Sequence, residues 1–130
     1  MTDYRTPLGR ARGLGSAKRG VGDFIGQRVS AVALVFLGIW GVWSALNLAG
    51  GGYAGALAWA ASPVNAAVLV LLTLAGFYHA RIGVRTVIED YIARAFTKTL
   101  LLIANTFVCA GAAALTVICV LKVAFAGGAS

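Results

Sequence analysis

Three uncharged stretches dominate the chain: Val29 to Ala49, Pro63 to Ala80 and Thr99 to Leu121. Each approaches the ~20 residues a helix needs to cross ~30 Å of hydrocarbon. Apolar residues within them keep no strong period, as expected for helices apolar on most sides. The middle stretch is short by charge alone and reaches spanning length if Arg81 and Arg85 snorkel toward the interface. The pattern predicts an all-α membrane protein with three transmembrane helices, over about 29–49, 63–90 and 99–122, behind a basic, glycine-rich arm over 1–28. Gly50-Gly51-Gly52 ends the first span. Ser62-Pro63 starts the second, with proline in its first turn. Asp23 is a candidate cap for the helix that enters the first span.

Composition agrees: of 130 residues, 60% are hydrophobic and only 12% charged, against roughly 25% charged in a soluble domain. The formal net charge of +7 raises nucleic acid as a partner, but its distribution argues for topology. Arg5, Arg10, Arg12, Lys18, Arg19 and Arg28 precede the first span, and Arg81, Arg85, Arg94 and Lys98 cluster between the second and third. The connection Gly50 to Ser62 carries no charge, and Lys122 stands alone near the C-terminal end. By the positive-inside rule the N-terminus and the second connection are cytoplasmic, and the first connection and C-terminus are outside. The remaining role of the positive charge is contact with anionic lipid.

A signal peptide is a poor reading, because the tail before the first apolar run is long and the run exceeds a signal core of about 7–15 residues. The arm contains glycine and lysine but not the spacing of a phosphate-binding loop, and no strand precedes it; it reads as a flexible or partner-docked segment. Cys109 and Cys119 are ~15 Å apart along one helix, beyond disulfide reach, and read as small apolar residues. Gly111 among Ala110, Ala112, Ala113 and Ala114, with Asn105 and Thr106 nearby, offers close packing and hydrogen bonds between helices.

The chain has one histidine, His79, inside the second apolar stretch. An ionisable residue at membrane depth is costly and marks a candidate functional site. Advancing by about 100° per residue, Leu72, Gly76, Gly83, Thr86 and Asp90 all fall within roughly 60° of His79 on a helix, while Arg81 and Arg85 point elsewhere. Asp90 ends this stripe ~16 Å away toward the cytoplasm. Glycines beside an imidazole leave room for a flat, wide group, and imidazole is an axial ligand of haem iron. A histidine bonded to a neighbouring helix, with glycines serving close packing, remains an equal reading. Zinc is disfavoured, because Cys/His ligand spacing is absent.

Arg28, at the mouth of the first span, can pair bidentately with a carboxylate such as a haem propionate, or help shape a quinone site. From spacing alone, an interface anchor and topology signal is the stronger reading. Ser30, two residues on, is a further candidate for the same pocket. The phenol of Tyr91 can donate a hydrogen bond to a carbonyl, and the neighbouring Asp90 can orient it or accept protons. Tyrosine is also simply common at interfaces.

His79-Ala80-Arg81-Ile82-Gly83, followed by Val87-Ile88-Glu89-Asp90-Tyr91, resembles the second-span signature of the hydrophobic membrane anchor subunits of succinate dehydrogenase. Asp23-Phe24-Ile25-Gly26-Gln27-Arg28-Val29-Ser30-Ala31 resembles that family's lead-in to the first span. The tail Pro7-Leu8-Gly9-Arg10-Ala11-Arg12-Gly13-Leu14-Gly15-Ser16-Ala17 is similar to that of bacterial members. The resemblance covers most of the chain; the histidine-to-tyrosine motif is its specific part and the third span is generic.

The resemblance implies a subunit of respiratory complex II in the bacterial inner membrane, within a heteromeric helix bundle. His79 would be an axial ligand to haem b, with the other ligand from a cytochrome b subunit. Gly83 would pack against the haem, and Arg28 would lie near its propionates and the quinone pocket. Tyr91 would bond a ubiquinone carbonyl beside Asp90. Flavoprotein and iron-sulfur subunits would be further partners. The chain itself has no flavin motif, iron-sulfur cysteines or dicarboxylate site, so catalysis would belong to the assembled succinate:quinone oxidoreductase. The competing classes are a small homo-oligomeric channel or transporter with His79 lining its path, and a purely structural assembly subunit.

Overall fold

The computed structural model describes residues 6–11 and 20–126, and every regular element among them is helical. In chain order these are α1 (Pro7–Ala11), α2 (Gly20–Leu48), α3 (Gly52–Ala61), α4 (Pro63–Tyr91) and α5 (Ala95–Ala126). Three of them, α2, α4 and α5, are long and apolar enough to cross a membrane, with mean hydropathies of 2.0, 1.7 and 2.3 over their most apolar windows. At 29 residues each, α2 and α4 measure about 43 Å, so both run past the hydrocarbon into the headgroup region.

The extra length of α2 lies at its N-terminal end. The helix starts at Gly20, nine residues before the apolar run, and carries Asp23, Gln27 and Arg28 on helical backbone. Asp23 is therefore not a cap; it sits inside the first turn, where a carboxylate still complements the helix dipole. Residues 1–5 and 12–19 of the expected arm lie outside the described residues.

The uncharged connection after α2 is more ordered than its glycines suggest. The backbone reverses at Gly52, whose φ of +60° suits glycine, and then forms α3. Trp59 of α3 stacks on Trp40 of α2, with ring centroids 5.4 Å apart. Asn65 Nδ2 donates to the Trp59 carbonyl at 2.9 Å, tying α3 to the first turn of α4. As expected from Ser62-Pro63, Ser62 occupies the N-cap position of α4 in extended geometry and Pro63 starts the helix.

Helix α4 is the centre of the arrangement. It packs against both α2 and α5, whereas α2 and α5 do not meet among the described residues. The interior is correspondingly thin: among the described residues only Ser30, Ser44, Ala66, Ile82 and Ile88 are buried. A soluble protein could not tolerate this, but lipid tails are as apolar as the side chains they touch, so helix contact in a bilayer rests on close packing and hydrogen bonds. One such bond runs from Asn105 Nδ2 on α5 to the Arg81 carbonyl on α4 at 2.9 Å. Thr106 bonds within its own helix, to the Leu102 carbonyl. Gly111 is exposed, and a Cβ there would meet nothing within 4 Å, so it makes no close packing among the described residues. Cys109 and Cys119 are free thiols.

Candidate functional site

The α2–α4 interface carries two facing stripes. On α2, Gly20, Asp23, Phe24, Gln27, Arg28 and Ala31 recur at intervals of one, three or four residues. On α4, His79, Ile82, Gly83, Thr86 and Val87 do the same. Together they line an open groove of about 680 Å³. That volume lies within the range of small-molecule and cofactor sites.

His79 is held at both ring nitrogens. Its Nδ1 lies 3.0 Å from Ser30 Oγ, and its Nε2 lies 3.5 Å from the amide nitrogen of Gln27. Ser30 is buried, at 6% exposure, and its hydroxyl donates to the Gln27 carbonyl at 3.1 Å. The amide oxygen of Gln27 is buried without any hydrogen-bond partner among the described residues. A buried unpaired acceptor costs about 1–3 kcal/mol, so Gln27 sits beside the imidazole at an uncompensated cost.

Close helix approach brings these groups together. A Cβ at Gly26 would collide with the Tyr78 hydroxyl, and one at Gly41 would touch the Leu72 side chain at 3.6 Å. Gly83 faces Gln27, whose amide nitrogen would lie 3.8 Å from a Cβ there. The stripe of Leu72, His79, Gly83 and Thr86 thus faces α2, as its helical phase requires.

An ionic clamp lies beside the groove, toward the N-terminal end of α2. Arg85 pairs with Asp23 across the helices at 3.0 Å and with Glu89 on its own helix at 2.8 Å. Helical phase turns Arg85 away from His79, yet its long side chain returns to α2. Lys98 of α5 donates to the Glu89 carbonyl at 2.9 Å, so all three long helices converge here.

The sequence-derived candidates divide into two places. His79, Arg28 and Gly83 line the groove, and Ser30 lies behind the imidazole. Arg28 is exposed and lies over the Phe24 ring, 5.2 Å from its centroid. Asp90 and Tyr91 do not line the groove. They sit in the exposed last turn of α4, Tyr91 being 81% exposed, about 18 Å along the axis from His79. Gln27 and Arg85 belong to the site although apolar patterning does not single them out. The signal that carries them is polar periodicity: Asp23, Gln27 and Ser30 follow one another at four and three residues ahead of the apolar run.

Chemically, the groove offers an imidazole with one nitrogen anchored by a hydroxyl and the other beside the Gln27 amide on the groove wall. That is the disposition of a metal-ligating histidine, whose second nitrogen is fixed by a hydrogen bond. The groove also offers an exposed guanidinium able to bind a carboxylate.

Comparison with known proteins adds the following. The profile of the succinate dehydrogenase/fumarate reductase transmembrane subunit family matches residues 2–120. The chain is 30% identical over 107 residues to the succinate dehydrogenase hydrophobic membrane anchor subunit of Rickettsia conorii, covering 81% of this chain and 85% of that protein. It is 31% identical over 103 residues to the protein of the same name from Rickettsia bellii, covering 78% and 82%. No solved structure matches the chain.

Proposed function

Since the chain belongs to the succinate dehydrogenase/fumarate reductase transmembrane subunit family, we propose that it is the hydrophobic membrane anchor of a succinate:quinone oxidoreductase. In this reading it docks the flavoprotein and iron-sulfur subunits on a bacterial inner membrane. Together with a cytochrome b subunit it holds haem b and builds the site of ubiquinone reduction. The observation that carries the reading is the presence of His79 and Arg28 on one groove whose lining is contributed by two spanning helices.

The residues present fit the haem. His79 would supply an axial ligand through Nε2, because Nδ1 is engaged by Ser30. The unpartnered amide oxygen of Gln27 marks a polar side chain whose present position is easily given up. Gly83 leaves the groove wall flat at that level, and Arg28 would hold a propionate by charge-assisted hydrogen bonds. When bound, the haem would supply a reversible one-electron store. The second axial ligand would come from the cytochrome b subunit, since this chain has a single histidine.

Quinone chemistry falls to the end of α4. The Tyr91 phenol is suited to donate a hydrogen bond to a quinone carbonyl, and the Asp90 carboxylate to pass a proton from the water side. Both are exposed in the isolated chain, a surface for docked subunits to cover. By the distribution of basic residues this end lies with the N-terminus on the cytoplasmic side, where protons for two-electron, two-proton reduction are available.

Purification of the tagged full-length chain from its native membrane tests the proposal. Co-purification of flavin-bearing and iron-sulfur chains, with a b-type haem spectrum lost in His79→Ala, is the expected result. A colourless homo-oligomer without those companions overturns it.

A further inference from the structure

Ser30 bonds to two groups that the spanning helices bring together, and its single proton decides how. The serine hydroxyl donates to the carbonyl of Gln27, three residues back on its own helix. Serine inside a helix commonly makes this local bond, which fixes its rotamer. With that proton committed, the lone pairs of Oγ remain for the imidazole 3.0 Å away, and the ring nitrogen facing them must be the one that carries hydrogen. The second ring nitrogen lies 3.5 Å from the Gln27 amide nitrogen, a long contact that an unprotonated Nε2 suits. The serine bonds therefore select the tautomer, and the amide contact is compatible with it.

We infer that Ser30 is the positioning residue of His79: it holds the imidazole as the Nδ1–H tautomer and leaves the Nε2 lone pair on the groove side, where the Gln27 amide is its present neighbour. The relay runs from His79 Nδ1–H to Ser30 Oγ, and from Ser30 Oγ–H to the Gln27 carbonyl. It fixes the ring plane, because rotation about the ring's attachment would break the bond to a side chain that cannot follow. It also makes Nε2 a stronger donor to a metal, since a hydrogen bond accepted from the distal N–H raises the basicity of the ligating nitrogen. The inference rests on the proposed role of His79 as a haem ligand, but concerns a different residue and a different observable.

The test uses the assembled membrane complex carrying Ser30→Ala, Ser30→Val, Ser30→Thr or His79→Ala. Its readouts are haem absorbance, the haem midpoint potential and the electron paramagnetic resonance spectrum of the oxidised haem. Removal of the hydroxyl in Ser30→Ala and Ser30→Val is expected to shift the potential upward and alter the resonance spectrum. Ser30→Thr, matched to valine in shape, is expected to restore both. Where the hydroxyl-free variants lose the haem altogether, retention in Ser30→Thr alone supports the role. Wild-type potential and spectrum in Ser30→Ala, or equal effects of threonine and valine, overturn it. A complex that keeps its haem unchanged in His79→Ala instead overturns the underlying assignment of the ligand, so the two failures are distinct.

Discussion

The Asp23 carboxylate of α2 and the Arg85 guanidinium of α4 lie 3.0 Å apart, on the side of the His79–Ser30 bond away from α3. Arg85 sits six residues beyond His79, about 9 Å along the helix. The two contacts hold α2 against α4 at separate levels, one an exposed ion pair, the other a hydrogen bond to a buried hydroxyl, with the groove running between them.

The ionic level should contribute little by itself. The side chains of Arg85 and Asp23 are 42% and 48% exposed, and exposed pairs are worth about 0.2–1 kcal/mol. A double-mutant cycle with Arg85→Ala and Asp23→Ala, read by thermal unfolding of the purified complex, is expected to give a coupling in that range. A coupling of several kcal/mol would mean that a partner subunit buries the pair.

The steric level is less forgiving. Gly26→Ala places a methyl against the Tyr78 hydroxyl, and overpacking of this kind costs roughly 1–3 kcal/mol. The variant is expected to assemble with reduced haem content, because separating α2 from α4 also separates Ser30 from His79. Adding Tyr78→Phe removes the colliding oxygen and should recover part of the loss. No recovery in the double variant would show that the helices keep their distance by other means.

Tyr91→Phe tests the proposed quinone contact. The side chain is 81% exposed and about 18 Å along α4 from His79, so its hydroxyl contributes nothing to the described core. Quinone reductase activity is expected to fall tenfold or more, equivalent to about 1.4 kcal/mol of transition-state stabilisation, with an unchanged haem spectrum. Succinate oxidation with an artificial acceptor that bypasses quinone should stay at wild-type level. An undiminished quinone rate would remove Tyr91 from the site.

Orientation follows from the placement of arginine and lysine. Ten of the eleven basic residues precede α2, lie in its first turns, or fall between Arg81 and Lys98. A tag at the N-terminus or within the Ile92–Arg94 turn is expected to resist protease in right-side-out vesicles. A tag at the C-terminus or in the Gly50–Gly52 turn should be cleaved. The reverse pattern would put the Asp90-Tyr91 end outside and contradict a cytoplasmic quinone site.

Much of the architecture is legible in the chain because its signals are local. Uncharged stretches of spanning length yield helices whatever their neighbours, since a bilayer leaves the backbone no other partners. Pro63 starts α4 by its own geometry, and the stripe containing His79, Gly83 and Thr86 follows from helical pitch alone. Two features resist. The helix α3 lies in a segment whose three consecutive glycines read as an open loop, and its ordering draws on the Trp40–Trp59 stack and the Asn65 bond. The early start of α2 is hidden because residues 20–28 lack apolar continuity; their helical phase is carried by polar residues that find partners on α4.

The order of residues determined that three helices cross a membrane, which connections are basic, and that one imidazole lies on a helix face with small neighbours. These follow from hydrophobic transfer and backbone hydrogen bonding, which act along the chain. Only the tertiary arrangement decided that this face meets Ser30 and Gln27, and that Arg85 reaches Asp23. Contacts between residues some fifty positions apart depend on how closely two helices approach and at what register, and that is settled by glycine-sized gaps and paired polar atoms rather than by either helix alone.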